Sequence, residues 1–212
     1  VSIGDDCKIE DNTIIGHPTK AMIEGEDHRA RKMLNDADPL RAVKTNIANG
    51  AIIRSHSVIY ASVIIGTNFR SGHHIVIREH SNIGINVVFG SFASCDGHTT
   101  IGQDTHIGQY VMLAHGAQIG EGCFIGGHTA FATNKYMVPE LNEDCDSATI
   151  GNFVRIGLGC TIGPNVTVGD SAVVGMGSVV TGNLPPCCVA YGSPARVRRQ
   201  LRDTEIDKHR GH

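Results

Sequence analysis

Residues 101–126 read IGQDTHIGQYVMLAHGAQIGEGCFIG. An apolar residue returns at every sixth position, at Ile101, Ile107, Leu113, Ile119 and Ile125, and glycine follows it at Gly102, Gly108, Gly120 and Gly126. A period of six belongs to neither a helix nor a free alternating strand. It suits a coiled parallel sheet in which each six-residue unit forms one flat side. Three sides then close a turn of about 18 residues, with the apolar residue pointing into a narrow core.

Working outward, the beat extends from Ile47 to Thr133 and weakens only at Ser71 and Cys95. It is already present at Ile3, Ile9 and Ile15, and it resumes at Ile150, Ile156, Ile162, Val168, Val174 and Val180. Four residues after most beats stands a small or compact side chain, as at Ala51, Ser57, Val63, Val87, Thr99, Ala117 and Cys123. The expected fold is all-β: a parallel β-helix over residues 1–185, followed by a tail, 186–212. Residues 20–46 and 134–149 break the beat and read as loops projecting from corners. Long excursions from so regular a scaffold favour function. Within the first, His28 to Asn35 reads as a short helix stopped before Pro39. After Pro194 the sequence turns helical and basic, with Arg196, Arg198, Arg199 and Arg202. A short helix there would cover the last rung, whose open edge otherwise invites aggregation.

Composition fits this picture. The 26 glycines, the absence of Trp and the low aromatic content suit a thin core with tight corners. A net charge of −3 gives no general pull toward nucleic acid or anionic membrane. No segment reads as a signal peptide or a membrane span. The seven cysteines are scattered, and Cys95, Cys123 and Cys160 fall on inward positions. They read as small core residues of a reduced, cytoplasmic protein. Cys187–Cys188 has no second pair at metal-binding spacing, and no metal site is expected.

Eight of the 12 histidines lie in the central coils, mostly two or three places after the inward residue, at corners. Residues 18 apart stack at roughly 4.8 Å, which sets His56 under His74 and His80 under His98. His115 lies one rung beneath Thr133, at the base of the second loop beside Asn134. An imidazole there can accept a proton near neutrality. Arg78 and Glu79 share a corner with these residues. The second loop opens on Asn134, Lys135 and Tyr136 and carries the acidic run Glu140, Glu143, Asp144 and Asp146.

The hexads resemble those of the left-handed β-helix acyltransferases of the hexapeptide-repeat superfamily over nearly the whole chain. The left hand is implied by that resemblance alone, since general crossover rules favour the right. The block Ile150-Gly-Asn-Phe-Val-Arg-Ile-Gly, then Val174-Gly-Met-Gly-Ser-Val-Val-Thr, Pro185-Pro and Tyr191-Gly-Ser-Pro-Ala-Arg is similar to the coenzyme A end of acetyltransferases in this superfamily. The resemblance implies that Gly157, Gly175 and Ser178 line a pantetheine channel and that Ala195 and Arg196 lie near the nucleotide. Phe131-Ala-Thr-Asn-Lys-Tyr resembles nucleotide-amino-sugar N-acetyltransferases, which implies Asn134 beside the acceptor. Leu113-Ala-His-Gly-Ala-Gln-Ile-Gly resembles the histidine-bearing repeat of acyltransferases that act on UDP-glucosamine derivatives, which implies His115 as general base. Gly72-His-His-Ile-Val-Ile-Arg-Glu resembles sugar acetyltransferases of surface-glycan clusters. It places His73, His74, Arg78 and Glu79 among acceptor-binding candidates, with His98, Lys135 and Tyr136.

The expectation is an acetyl-CoA-dependent acetyltransferase acting on a sugar amine, probed against three alternatives. These are a sugar or small-molecule O-acetyltransferase, a γ-carbonic-anhydrase-like zinc lyase, and a non-catalytic scaffold. Flat prism faces and the resemblance together imply a homotrimer with sites between subunits.

Overall fold

The computed structural model describes residues 1–19, 23, 44–135 and 147–210. Each hexad is a short strand followed by a tight corner, and the strands stack into three parallel sheets. Sheet I runs from Ser2–Ile3 through Asn46–Ile47 to Thr167–Val168. Sheet II runs from Lys8–Ile9 to Val173–Val174 and continues into the tail. Sheet III runs from Ile14–His17 to Val179–Val180. The coil is a left-handed parallel β-helix. Register is strict: Ile83 pairs with Ile101, Phe89 with Ile107, and Cys95 with Leu113.

A two-residue strand points one side chain in and one out. The inward set, Ile53, Ile59, Ile77, Phe89, Ile107, Leu113, Ile125 and Ile156, is fully buried. Ser71, the weak beat of sheet II, sits beneath Phe89, and Phe69 packs on Phe89 with ring centroids 6.4 Å apart. Its hydroxyl accepts a hydrogen bond from the Arg54 N–H at 2.9 Å. Ile3 and Ile9 remain partly exposed, at 45% and 38%, because no described rung lies beneath them.

The position four residues after the beat is also inward; Ser57, Thr99 and Ser178 donate there to the carbonyl three residues back, while others donate to the next rung. Thr105 Oγ1 donates to Gly120 O at 2.9 Å, and the Cys123 and Cys160 thiols donate to Gly151 O at 3.0 Å and Gly175 O at 3.2 Å. The six described cysteines are free. Burial pushes the Cys95 thiol up to about 12 and that of Cys123 up to about 11. These cysteines are the inert core residues that the spacing indicated.

Each corner turns through one left-handed residue: φ is +61° at His56, +56° at His80, +57° at Asp104 and +57° at Ser171. On the edge between sheets I and II this position carries an amide ladder, with Asn68 Nδ2 donating to Asn86 Oδ1 and Asn86 Nδ2 to Asp104 Oδ1. Asn and Asp tolerate that conformation best after glycine.

The tail departs from the expectation. Residues 195–200 are not helical: Cys188–Gly192 and Ala195–Gln200 form an antiparallel hairpin. Its first strand extends sheet II by pairing Val189 with Val173 and Ala190 with Val174. The helix comes later, at Asp203–Arg210. Exposed sheet edge is thus covered by more sheet, and the helix is anchored by Glu205, which accepts from Arg199 at 2.8 Å and from Arg202 at 3.3 Å. The reading of His28 to Asn35 as a helix falls outside the described residues, as do most of the two excursions.

Candidate functional site

Both excursions leave the same edge of the prism. The chain departs after Ile14–His17 and returns at Asn46–Ile47, and it departs after Ala130–Phe131 and returns at Thr149–Ile150. Each time it passes from sheet III to sheet I. Four uninterrupted corners lie between, and they carry Arg78, Glu79, His80, Asp96, His98 and His115. This III–I edge is therefore a side-chain-rich strip with an excursion at either end.

Within the strip, the His80 and His98 rings stack at 4.8 Å, and His115 lies tilted against His98, also at 4.8 Å. Met112 pairs with Ala130, so His115 stands one rung beneath Thr133, where the second excursion begins. The expected stacking of His56 under His74 is likewise present, at 4.8 Å. Arg78 and Glu79 bind each other: Arg78 Nη2 donates to Glu79 Oε1 at 2.8 Å and Nε to Oε2 at 3.1 Å. The Arg78 guanidinium also lies 5.6 Å from the Tyr60 ring. An acceptor hydroxyl would have to compete with that fork. Asn134 and Lys135 line a cleft of about 400 Å³ with Gly163, Pro164, Asn165, Val166, Thr181 and Gly182. Tyr136 falls outside the described residues.

The residues expected to hold the donor lie elsewhere. Gly157 and Gly175 open successive corners of the II–III edge. A Cβ on Gly157 would stand 2.5 Å from Met176 N, and one on Gly175 would stand 2.8 Å from Tyr191 Cβ. Close rung packing thus accounts for both glycines, and their backbones still face outward along the edge. Ser178 is fully buried, and its hydroxyl donates to Gly175 O at 2.6 Å and accepts from Gly192 N–H at 3.2 Å. It closes the corner. Ala195 is buried in the hairpin, and Arg196 is exposed beside it, donating to Ala195 O at 3.0 Å. Arg198 lies over the Tyr191 ring at 5.0 Å.

His73 and His74 also belong to the II–III edge, far from His115. His73 Nδ1 is 2.9 Å from Ser55 Oγ and 3.9 Å from Glu10 Oε2. Glu10 is held below the usual carboxylate range, first by the Arg54 guanidinium and then by the Ser55 N–H. The strip carrying His115 and the strip carrying Gly157 and Gly175 therefore lie on different edges of one chain, with sheet III between them. Sequence reading missed a column on the II–III edge. His74, Phe92, Tyr110 and His128 continue the stack from His56 at 4.8–4.9 Å per step. Their spacing of 18 was the available signal. Among the described residues, no three His, Cys, Asp or Glu side chains converge to hold a metal ion, and no helix is long and apolar enough to cross a membrane.

The architecture defines a left-handed β-helix built of hexapeptide repeats. Residues 98–132 match the family described as bacterial transferase hexapeptide (six repeats). A stretch of 61 residues is 52% identical to galactoside O-acetyltransferase of Escherichia coli K12, covering 29% of each chain. The match thus spans under a third of that curated relative. Among solved structures, the fold is similar to UDP-N-acetylglucosamine acyltransferase of Francisella novicida, with a TM-score of 0.58 at 19% identity over 99% of this chain and 72% of that one. It is also similar to perosamine N-acetyltransferase of Caulobacter crescentus, solved with CoA and GDP-perosamine. There the TM-score is 0.51 at 19% identity, over 82% and 64% of the chains.

Proposed function

We propose that this protein transfers an acetyl group from acetyl-CoA to a sugar amine, the acceptor being a nucleotide-linked amino sugar of surface-glycan synthesis. The observation that carries the acetyltransferase reading is the stretch at 52% identity to a sugar acetyltransferase. The two strips give it a geometry. The donor lies along the II–III edge against the backbone of Gly157 and Gly175, its nucleotide end at the hairpin by Ala195 and Arg196. The acceptor lies along the III–I edge. His115 takes the proton as nitrogen attacks the thioester carbon, and Asn134 orients the acceptor. Lys135, in the adjoining cleft, offers a cation to a phosphate. His98, Arg78 and Glu79 face acceptor hydroxyls. A homotrimer, resident in the cytoplasm, brings one chain's donor edge to another's acceptor edge.

Transfer to a hydroxyl is the second reading, favoured because the curated relative is an O-acetyltransferase. The test is thiol release from acetyl-CoA against nucleotide amino sugars and, in parallel, galactosides and other neutral sugars. Turnover confined to the amino sugars supports the amine reading. Turnover confined to neutral sugars replaces it with the hydroxyl reading, and none with any acceptor overturns both.

A further inference from the structure

The ring column of the II–III edge stops abruptly. His56, His74, Phe92, Tyr110 and His128 fill five successive rungs, and the same position on the next two holds Gly159 and Gly177. Backbone conformation does not require these glycines. φ is +57° to +61° at the five ringed positions, close to +68° at Gly159 and +67° at Gly177. Packing does not require them either, since a Cβ on Gly159 or Gly177 would meet nothing within 4 Å. Gly157 and Gly175, immediately beside them, are the opposite case.

The column is therefore open for two rungs, roughly 10 Å at about 4.8 Å per rung. Its floor is the face of the His128 ring turned away from Tyr110. The exposed side chains of Leu158 and Met176 flank it, and Tyr191 with Arg198 stands at its far end. A slender apolar arm entering from the arginine-bearing hairpin can run down this gap. It must stop at His128, because rings occupy every rung below. The His128 imidazole makes no hydrogen bond through its ring nitrogens among the described residues, so its N–H is available.

We propose that this gap seats the acyl-bearing end of the donor, and that the His128 N–H donates a hydrogen bond to the thioester carbonyl oxygen. The proposal rests on the acetyl-CoA reading above. As the acceptor attacks, charge builds on that oxygen and the hydrogen bond strengthens, with no proton leaving His128. Loss of one such donor costs about 10²–10³ in kcat.

Three variants of the whole chain test it. His128→Phe keeps a ring on Tyr110 and removes the donor, His128→Gln restores an N–H, and Gly159→Phe extends the ladder into the gap. Acetyl-CoA binding is measured by calorimetry and turnover by thiol release. Carbethoxylation by diethyl pyrocarbonate is mapped by mass spectrometry, with and without acetyl-CoA, using His56 and His74 as controls on the same column. Expected are near-wild-type acetyl-CoA affinity with a kcat lowered about 10²–10³-fold for His128→Phe, substantial rescue by Gln, and loss of acetyl-CoA binding in Gly159→Phe. Acetyl-CoA should shield His128 and leave His56 and His74 reactive. Unshielded His128 in a protein that binds acetyl-CoA, or wild-type affinity in Gly159→Phe, overturns the placement. Unchanged kcat in His128→Phe overturns the hydrogen bond, and so does a Gln variant as impaired as Phe. Wild-type protein that binds no acetyl-CoA overturns the donor reading itself, before any variant is compared.

Discussion

His115 is distinguished by position. It stands two residues past the inward Leu113, directly beneath the launch of the second excursion, with its ring against His98. If it is the base, His115→Ala lowers kcat by about 10²–10⁴ and leaves acetyl-CoA affinity nearly unchanged. Retained kcat would move the acceptor site off this corner. Glu10 provides a second test at this scale. Its folded-state pKa is lowered by the Arg54 fork and the Ser55 N–H, so its contribution is present above the ordinary carboxylate value and lost as pH falls through the lowered one. The melting temperature of Glu10→Gln should lie below wild type near pH 6, and the gap should shrink as the pH falls below about 4 and vanish once it has passed the lowered folded-state value. A gap that persists in acid would assign the effect to packing. The inward residues were legible because a fixed period fixes burial. The same rule covers the burial of Ser178, which stands four places after Val174, at the inward position that Thr105 and Cys123 also occupy.

At the scale of elements, the tail shows where local preference yields. Ala195-Arg-Val-Arg-Arg-Gln is rich in good helix formers. The open edge of sheet II supplies backbone partners that a helix would leave unused, and the segment pairs as a strand. No residue in that segment announces this, since the strand it pairs with, Cys188–Gly192, is itself placed by pairing on Val173 and Val174. Corner glycines divide in the same way between packing and freedom. A Cβ on Gly126 would stand 2.6 Å from the backbone of Gly157, whereas one on Gly182 would meet nothing. Gly126→Ala should therefore cost about 1–3 kcal/mol, as overpacking does, and Gly182→Ala should stay within about 0.5 kcal/mol. Urea midpoints of the two variants check this, and equal midpoints would contradict the packing account.

For the whole molecule, the sequence showed that two excursions exist but not that they share an edge. That fact was recoverable by counting hexads in threes, since each break follows a sheet III strand. The separation of the two strips was harder to read, because it needs the handedness and order of the faces. It has a consequence for assembly. Under the proposed function, sheet III keeps a chain's donor edge from its own acceptor edge, so a compact transfer site would need an edge from a neighbour. Contact of unlike edges is head-to-tail, and such a contact closes into a ring when the rotation allows. Sedimentation equilibrium should give three times the 22.6 kDa of one chain. Subunit mixing tests the shared site more directly. His115→Ala spoils the acceptor edge and Gly159→Phe the donor edge, so each homotrimer should be inactive. In equal mixture after subunit exchange, about one interface in four joins an intact donor edge to an intact acceptor edge. Activity should then recover to about a quarter of wild type. If both strips served one chain's own site, no mixed trimer would contain a complete one, and mixing two inactive variants would restore nothing.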